Sequence, residues 1–246
     1  MKKLGVGLLL SILMLFSGCI TQPKVPEYTI NQVDKIGYII EESGDVYHGH
    51  MGTTVFNNFE KSYAYNWHLE NEIESLIKKN VKRDVISLRE KGVTFAEVEN
   101  LIVAEEGKWV IKKSEAYQKL KNELGLKALL IIHQNDTYVF TGRDPVFMQR
   151  SGLASHHLLG LKRYFAVSAY NCDLYLLNPT AVVRQKDVNK SVIIYDSLMS
   201  SFQEKSGFEK PKDIENISKR ELVKVREKIV TFLDSLTLSI DAFLTK

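Results

Sequence analysis

Residues 128–132 read Ala-Leu-Leu-Ile-Ile, an unbroken apolar run bounded by Gly125 and the polar set His133-Gln134-Asn135-Asp136. Neighbouring side chains in a strand point to opposite faces of a sheet, so a strand apolar at every position must be covered on both sides. The run therefore predicts a central strand, and the rest of the chain has to supply a layer above it and a layer below it.

The flanking pattern supplies those layers. A strand is expected over 36–41, closed by the turn Ser43-Gly44-Asp45. The polar, aromatic stretch from His48 to Ala64 carries no clear period. Leu69, Ile73, Ile77 and Val81 recur every four residues, which is one face of a helix. A short strand follows at 83–88. Thr94 with Glu97 three residues on, and Val93 paired with Val98, make a capping box and staple that open a helix. Ser114 caps a further helix over 115–124, which Gly125 stops. Residues 163–197 read as an antiparallel β meander, with turns at Asn178-Pro179 and Asp187-Val188-Asn189. Ile217-Ser218-Lys219-Arg220-Glu221-Leu222 is a second capping box. It starts a long C-terminal amphipathic helix through Val225, Ile229, Phe232, Leu236, Ile240 and Phe243. The sum is an α/β fold: a single domain over 35–246, with a mixed sheet and helices packed on it.

Ahead of that domain the chain has the layout of an export signal. Met1-Lys2-Lys3 precedes an uncharged apolar stretch, Leu4 to Phe16, and then Ser17-Gly18-Cys19. The stretch is shorter than the ~20 residues needed to cross a bilayer. Small residues directly before a cysteine resemble the lipobox of bacterial lipoproteins, with Phe16 where that family usually has Leu. The resemblance implies a signal peptide over 1–18, cleavage before Cys19, and acyl chains such as palmitate on the Cys19 thiol. A lipid-anchored tether over 19–34, containing Pro23 and Pro26, would follow. Ile20 in place of Asp implies, by the sorting habit of enteric lipoproteins, the outer membrane facing the periplasm. The order of elements is similar to the small α/β domains of the curli-secretion lipoprotein and of penicillin-binding-protein activators.

Charge narrows the partners. Removing 1–18 takes away Lys2 and Lys3 and no acid, leaving 31 bases against 30 acids. No field suited to nucleic acid remains, and the run Lys78, Lys79, Lys82, Arg83 reads as a solvated helix face. With Cys19 acylated, Cys172 has no partner in its own chain, so packing alone holds the exported domain together.

Phosphate loops, dinucleotide glycine fingerprints, Gly-x-Ser-x-Gly elbows and His-Glu-x-x-His are absent, and no cofactor is expected. Four weaker constellations stand out. His48 and His50, two apart with Met51 beside them, offer an incomplete soft-metal set against the plainer reading of a solvated turn. Ser155-His156-His157, near Ser151 and Gly152, puts a hydroxyl beside imidazoles, but a triad is made by the fold and not by adjacency. Cys172 lies in a strand-like segment with every histidine upstream, which suits a buried structural thiol better than a nucleophile. His133 and Asp136 follow the central strand, and Arg143 and Asp144 begin a second loop. Ligands gather at such strand ends in α/β sheets, and these four are the candidate ligand-binding residues.

The expected function is a membrane-anchored envelope lipoprotein, non-enzymatic, that binds or assembles other envelope proteins. The alternatives are a tethered hydrolase acting on cell-wall or surface material and a small-ligand or metal-binding lipoprotein.

Overall fold

A computed structural model describes residues 23–26, 33–141 and 144–243. The lipobox, Cys19 and Arg143 lie outside the described residues. Fourteen strands and six α-helices occur among those described.

The first sheet contains β1 (Lys35–Glu41), β4 (Asp84–Ser87), β7 (Ala128–Gln134), β12 (Tyr170–Leu177) and β13 (Thr180–Asp187), in the order β13-β12-β7-β1-β4. β7, β1 and β4 run parallel, and β12 and β13 antiparallel to their neighbours. The second sheet contains β2 (Val46–Met51), β3 (Phe59–Tyr63), β10 (Gly152–Leu158), β11 (Leu161–Ser168) and β14 (Lys190–Asp196), in the order β14-β11-β10-β2-β3. Here β2 and β10 are parallel and the other pairs antiparallel. Two hairpins, β5 (Ile102–Glu105) with β6 (Lys108–Ile111) and β8 (Thr137–Phe140) with β9 (Pro145–Met148), complete the strands.

The sheets are two halves of one bent system. β1 passes into β2 through Glu42–Asp45, β11 into β12 through Ala169 alone, and β13 into β14 through Val188 and Asn189. β7 and β10 occupy equivalent positions in the two orders, joined by the β8–β9 hairpin. The β-rich stretch anticipated near 163–197 is present, and its four strands divide between the sheets because the chain crosses this seam twice.

Three apolar clusters fill the layers. The largest joins one face of each sheet to α1 (Leu69–Asn80) and α5 (Val223–Leu238), with Leu130, Leu174, Tyr164, Ile77 and Ile229 at its centre. On the opposite face of the first sheet, Ile39, Leu129 and Ile131 meet Leu88, Val98 and Leu120 from the segments around α2 (Phe95–Val98) and α3 (Ser114–Gln118). The opposite face of the second sheet, Tyr47, Phe165 and Val167, is covered by Val139, Val146 and Met148 of the β8–β9 hairpin. Ala128 to Ile132 are all buried, as a strand covered twice requires.

Local details depart from the sequence reading in three places. Lys113, not Ser114, occupies the position before α3, and Ser114 is already helical; after Gln118 the chain widens into a π-helical turn over Lys119–Glu123. The Ser218–Glu221 box forms, with the Ser218 N–H donating to Glu221 Oε2 at 2.7 Å, but regular helix begins only at Val223. α5 buries Val225, Ile229, Leu233 and Thr237, a four-residue stagger that leaves Phe232 and Leu236 on its flank. A short helix, α4 (Ser200–Ser206), packs on β14, and α6 (Ile240–Phe243) follows α5. The basic run is engaged rather than free: Lys78 pairs with Glu74, Lys79 with Asp234 and Arg83 with Asp241. Asn80 Nδ2 donates to Thr237 Oγ1 at 2.7 Å across the same α1–α5 contact.

Gly152 marks the closest backbone approach. A Cβ there would lie 1.9 Å from the Tyr47 carbonyl oxygen of the parallel neighbour. Gly152→Ala should therefore push β10 off β2 and destabilise the domain by about 3 kcal/mol or more. Thermal denaturation of the variant checks this, and an unchanged Tm would contradict the packing described.

Candidate functional site

The stretch from His48 to Ala64 that carried no period is a hairpin, β2 and β3, on the edge of the second sheet. β2 alternates as a strand should. Val46, His48 and His50 face one way, and Tyr47 and Gly49 the other, where a Cβ at 49 would sit 2.5 Å from the Phe147 carbonyl oxygen. On the parallel neighbour β10, Ser155 stands opposite His50, and His157 follows two residues on along the same face. Two short alternations, His48-x-His50 and Ser155-x-His157, thus meet side by side.

The contacts are close. His48 Nε2 and His50 Nδ1 each lie 2.7 Å from Ser155 Oγ. One hydroxyl carries one proton, so one imidazole donates to it and the other accepts from it. His48 Nδ1 is buried without a partner. A buried bare lone pair is tolerated better than a buried orphan N–H, which assigns the order: His48 Nε2–H donates to Ser155, and Ser155 O–H donates to His50 Nδ1. His50 Nε2 then carries a hydrogen. His50 meets the His157 ring edge-on at 4.8 Å between centroids, and His157 Nε2 lies 3.0 Å from the Tyr164 hydroxyl. Phe59 packs on both strand-β2 histidines, 5.1 Å from the His48 ring and 4.8 Å from the His50 ring.

Burial keeps these rings uncharged. It pushes His48 down to about 3, helped by His50, His157 and Lys61. His50 falls to about 4 by burial, with His156 adding to it. His157 falls to about 4 by burial, then through His50, Lys162 and Lys210. Around pH 7 the cluster is a neutral hydrogen-bonded chain.

That chain ends in an open cavity of about 600 Å³, walled by His50, His157, Phe59, Asn57, Asn58 and Glu215, with Phe56 at its mouth. Ser155 does not reach it, because its side chain has no exposed surface. A nucleophile must present its oxygen to the substrate and needs a base strong enough to take its proton. A buried Oγ beside imidazoles held at about 3 and 4 supplies neither. The arrangement orients and polarises; it is not built for acyl transfer.

The other sequence candidates separate in space. Met51 points away from His48 and His50 and packs against the apolar cluster under the β8–β9 hairpin. Among the described residues, no three His, Cys, Asp or Glu side chains converge in the manner of a metal site. His133 Nε2 lies 3.5 Å from Asp173 Oδ2 of β12, and this contact raises its pKa against the opposing effect of burial. Its ring also packs on Phe95, at 5.4 Å. Asp136 lies in the β7–β8 turn and Asp144 just before β9, where Thr141 Oγ1 donates to its carbonyl at 3.0 Å. His156 faces away from His157 and is buried, and Ser151 Oγ accepts the Ala169 N–H at 2.9 Å. Cys172 is buried within β12, and burial pushes its thiol up to about 12, the behaviour of a structural cysteine.

The cavity also has a definite place along the molecule. β1 enters at Lys35, at the outer end of the first sheet, and runs to the seam; β2 leaves the seam and ends at Met51, beside the cavity. Lys24 lies on the side of the first sheet, where its carbonyl accepts the Trp109 indole N–H at 3.3 Å. The chain therefore enters at one pole and forms the cavity at the other. The cavity pole carries exposed apolar side chains from three separate connections: Val55 and Phe56 between β2 and β3, Leu159 between β10 and β11, and Leu198 and Met199 after β14. Phe56 is 93% and Leu159 87% exposed.

No family model matches the chain, and no curated protein does. Among solved structures it is similar to a Xanthomonas campestris protein of the family DUF330, with 9% identity over 89% of this chain and 87% of that one and a TM-score of 0.34. A hypothetical protein from Chlamydia trachomatis matches with 10% identity over 83% and 98%, at a TM-score of 0.35. The LpoB C-terminal domain from Salmonella enterica matches with 8% identity over 75% and 92%, at 0.24. Likenesses this shallow carry no inference about activity.

The neutral histidines make stability depend on pH with a defined sign. Their folded pKa values lie below the unfolded value near 6.5, so between about 4 and 6.5 the unfolded chain binds more protons and stability falls as pH falls. Glu42, raised to about 7 by burial, works the opposite way between about 4.5 and 7, and His133, raised by its contact with Asp173, does so above about 6.5. Tm should drop as pH is lowered from 6.5 to 4.5, and a His50→Gln/His157→Gln double variant should flatten that drop. A wild-type Tm constant over this range would refute the buried neutral cluster.

Proposed function

We propose that the chain is an envelope lipoprotein, tethered through lipid on Cys19, whose α/β domain is a non-enzymatic binding or assembly factor for other envelope proteins. The observation that carries the reading is the polarity of the domain. The tether enters at the pole opposite the cavity, so a membrane anchor holds one end and leaves Val55, Phe56, Leu159, Leu198 and Met199 directed away from it. Exposed apolar side chains gathered at one end of a domain mark an interaction surface, and a set drawn from three loops suits a folded protein partner. No helix among the described residues is long and apolar enough to cross a membrane, so attachment in this reading rests on the acyl chains, which anchor stably when more than one is present. The His133, Asp136, Arg143 and Asp144 set is retained as a secondary ligand-binding proposal.

The rival reading, a tethered hydrolase, draws on the two 2.7 Å contacts of Ser155 and is opposed by its burial. Ser155→Ala separates the two. It strips both imidazoles of their partner, so a loss of about 1–3 kcal/mol of stability is expected, with partner capture intact at a temperature where the variant is folded.

Two in-cell experiments test the tether and the surface. Cys19→Ala should abolish lipid attachment and release the protein from membranes; a variant still processed and membrane-bound would overturn the lipoprotein reading. A photo-crosslinking residue at Phe56 should trap a stoichiometric envelope protein, while one at Glu106, in the turn of the β5–β6 hairpin beside the first sheet, should not. Equal trapping from both positions, or none from Phe56, would overturn the assignment of the surface.

A further inference from the structure

We infer that the cavity at the end of the second sheet is a binding site for a neutral saccharide bearing acetamido groups. The inference needs no tether and rests on the chemistry of the cavity walls, of which only Phe56 also belongs to the partner surface.

The floor presents ring nitrogens whose opposite sides are already occupied. His50 Nδ1 is held by Ser155, which leaves Nε2–H; His157 Nε2 is held by the Tyr164 hydroxyl, which leaves Nδ1. Tyr164 is buried, and donating its O–H to His157 Nε2 leaves no buried hydroxyl hydrogen unpaired, which puts the ring hydrogen on Nδ1. The rim adds amide donors. Asn58 Oδ1 accepts the Gly52 N–H at 2.9 Å and Asn57 Oδ1 accepts the Thr54 hydroxyl at 2.6 Å, so both side chains keep an NH₂ group with no protein acceptor. Glu215 supplies an acidic wall, while Glu60, opposite Gly49 on β3, turns its carboxylate to the Tyr47 hydroxyl on the other face of the hairpin, at 2.6 Å. Phe56, Phe59 and Ile214 supply flat apolar surface between these groups.

Three ligand classes fit poorly. Lys61 is the one cation in the lining among the described residues, and it is committed to the Glu215 carbonyl and to Asn216 Oδ1 at 2.9 Å, so an anion finds no uncommitted cation there. A cation would meet imidazole and amide N–H groups at the floor. An extended peptide would have to lie over the Phe59 face of β3, where the 215–217 segment already lies, accepting from the Lys61, Tyr63 and Tyr65 side chains through the Glu215 and Ile217 carbonyls. A saccharide satisfies every wall at once. Its acetamido carbonyl accepts from the His and Asn N–H groups, its hydroxyls donate to Glu215, and its ring C–H face and acetamido methyl cover the phenyl rings. About 600 Å³ lies within the range of small-ligand sites.

The test is calorimetric titration of the purified, natively processed protein with chitotetraose, the β-1,4-linked N-acetylglucosamine tetramer, and separately with cellotetraose, which lacks the acetamido groups. Saturable binding of chitotetraose, at least ~10-fold tighter than cellotetraose, is expected, since cellotetraose lacks the acetamido hydrogen bonds. His157→Ala and Asn57→Ala should each weaken binding by about 10-fold. Phe56→Ser, at an exposed position where no fold contact is lost, should weaken it with Tm unchanged, which keeps the test decisive if His157→Ala fails to fold. No binding up to the solubility limit, or binding indifferent to Phe56→Ser and Asn57→Ala, would overturn the proposal. Equal affinity for the two sugars would overturn its acetamido specificity.

Discussion

Strands that bend from one sheet into another lose ladder hydrogen bonds at the bend, and buried backbone groups cannot be left unpaired. The seam between the two sheets is where this chain meets that constraint. The Ala169 N–H donates to Ser151 Oγ, the Ala169 carbonyl accepts from Asn135, and the Tyr170 N–H donates to Asn189 Oδ1. Glu42 gathers the rest: its carboxylate accepts from the Tyr170 hydroxyl and from Gln134 Nε2, both at 2.9 Å, and from the Gly44 N–H. Side chains from all four crossing positions therefore knit the bend. Without them the two sheets would have no fixed angle, and the helices α1 and α5 would have no single core to close over.

From this seam follows the division of labour between the sheets. The first sheet is buried on both faces through its central strands and carries the packing load of the domain. The second is covered by a small hairpin on one side and by α5 on part of the other, and its far end opens to solvent. Rigid material lies near the point where the chain enters, and the cavity with its apolar rim lies at the opposite end. A binding surface at the free end of a well-packed domain combines fixed geometry with access, the arrangement binding sites need.

The histidine cluster illustrates how burial changes what a residue type means. Exposed imidazoles titrate near neutrality and serve as acids, bases or metal ligands. Here burial holds three of them uncharged, Ser155 links two into a relay, and the outward nitrogens become fixed hydrogen-bond donors at the floor of a cavity. His48, His50, Ser155 and His157, which suggest a soft-metal set or a nucleophile in one dimension, meet as one neutral hydrogen-bonded cluster in three.

The sequence by itself determined what depends on local periodicity and local hydrogen bonding. The apolar run 128–132 had to be a central strand, Leu69, Ile73 and Ile77 had to be a helix face, and the Thr94 and Ser218 boxes had to open helical turns, because each pattern is satisfied or broken within a few residues. Only the tertiary structure decided what depends on the bend. Nothing within 163–197 says that Ala169 and Val188–Asn189 send the inner two strands to one sheet and the outer two to the other, since that follows from β12 finding β7 and β11 finding β10, both outside this stretch. The site was half written: His48-x-His50 and Ser155-x-His157 share the two-residue spacing of a strand face. Their meeting, with Phe59 between them and His133 drawn instead to Asp173, came from the parallel pairing of β2 and β10, a register that no local pattern encodes.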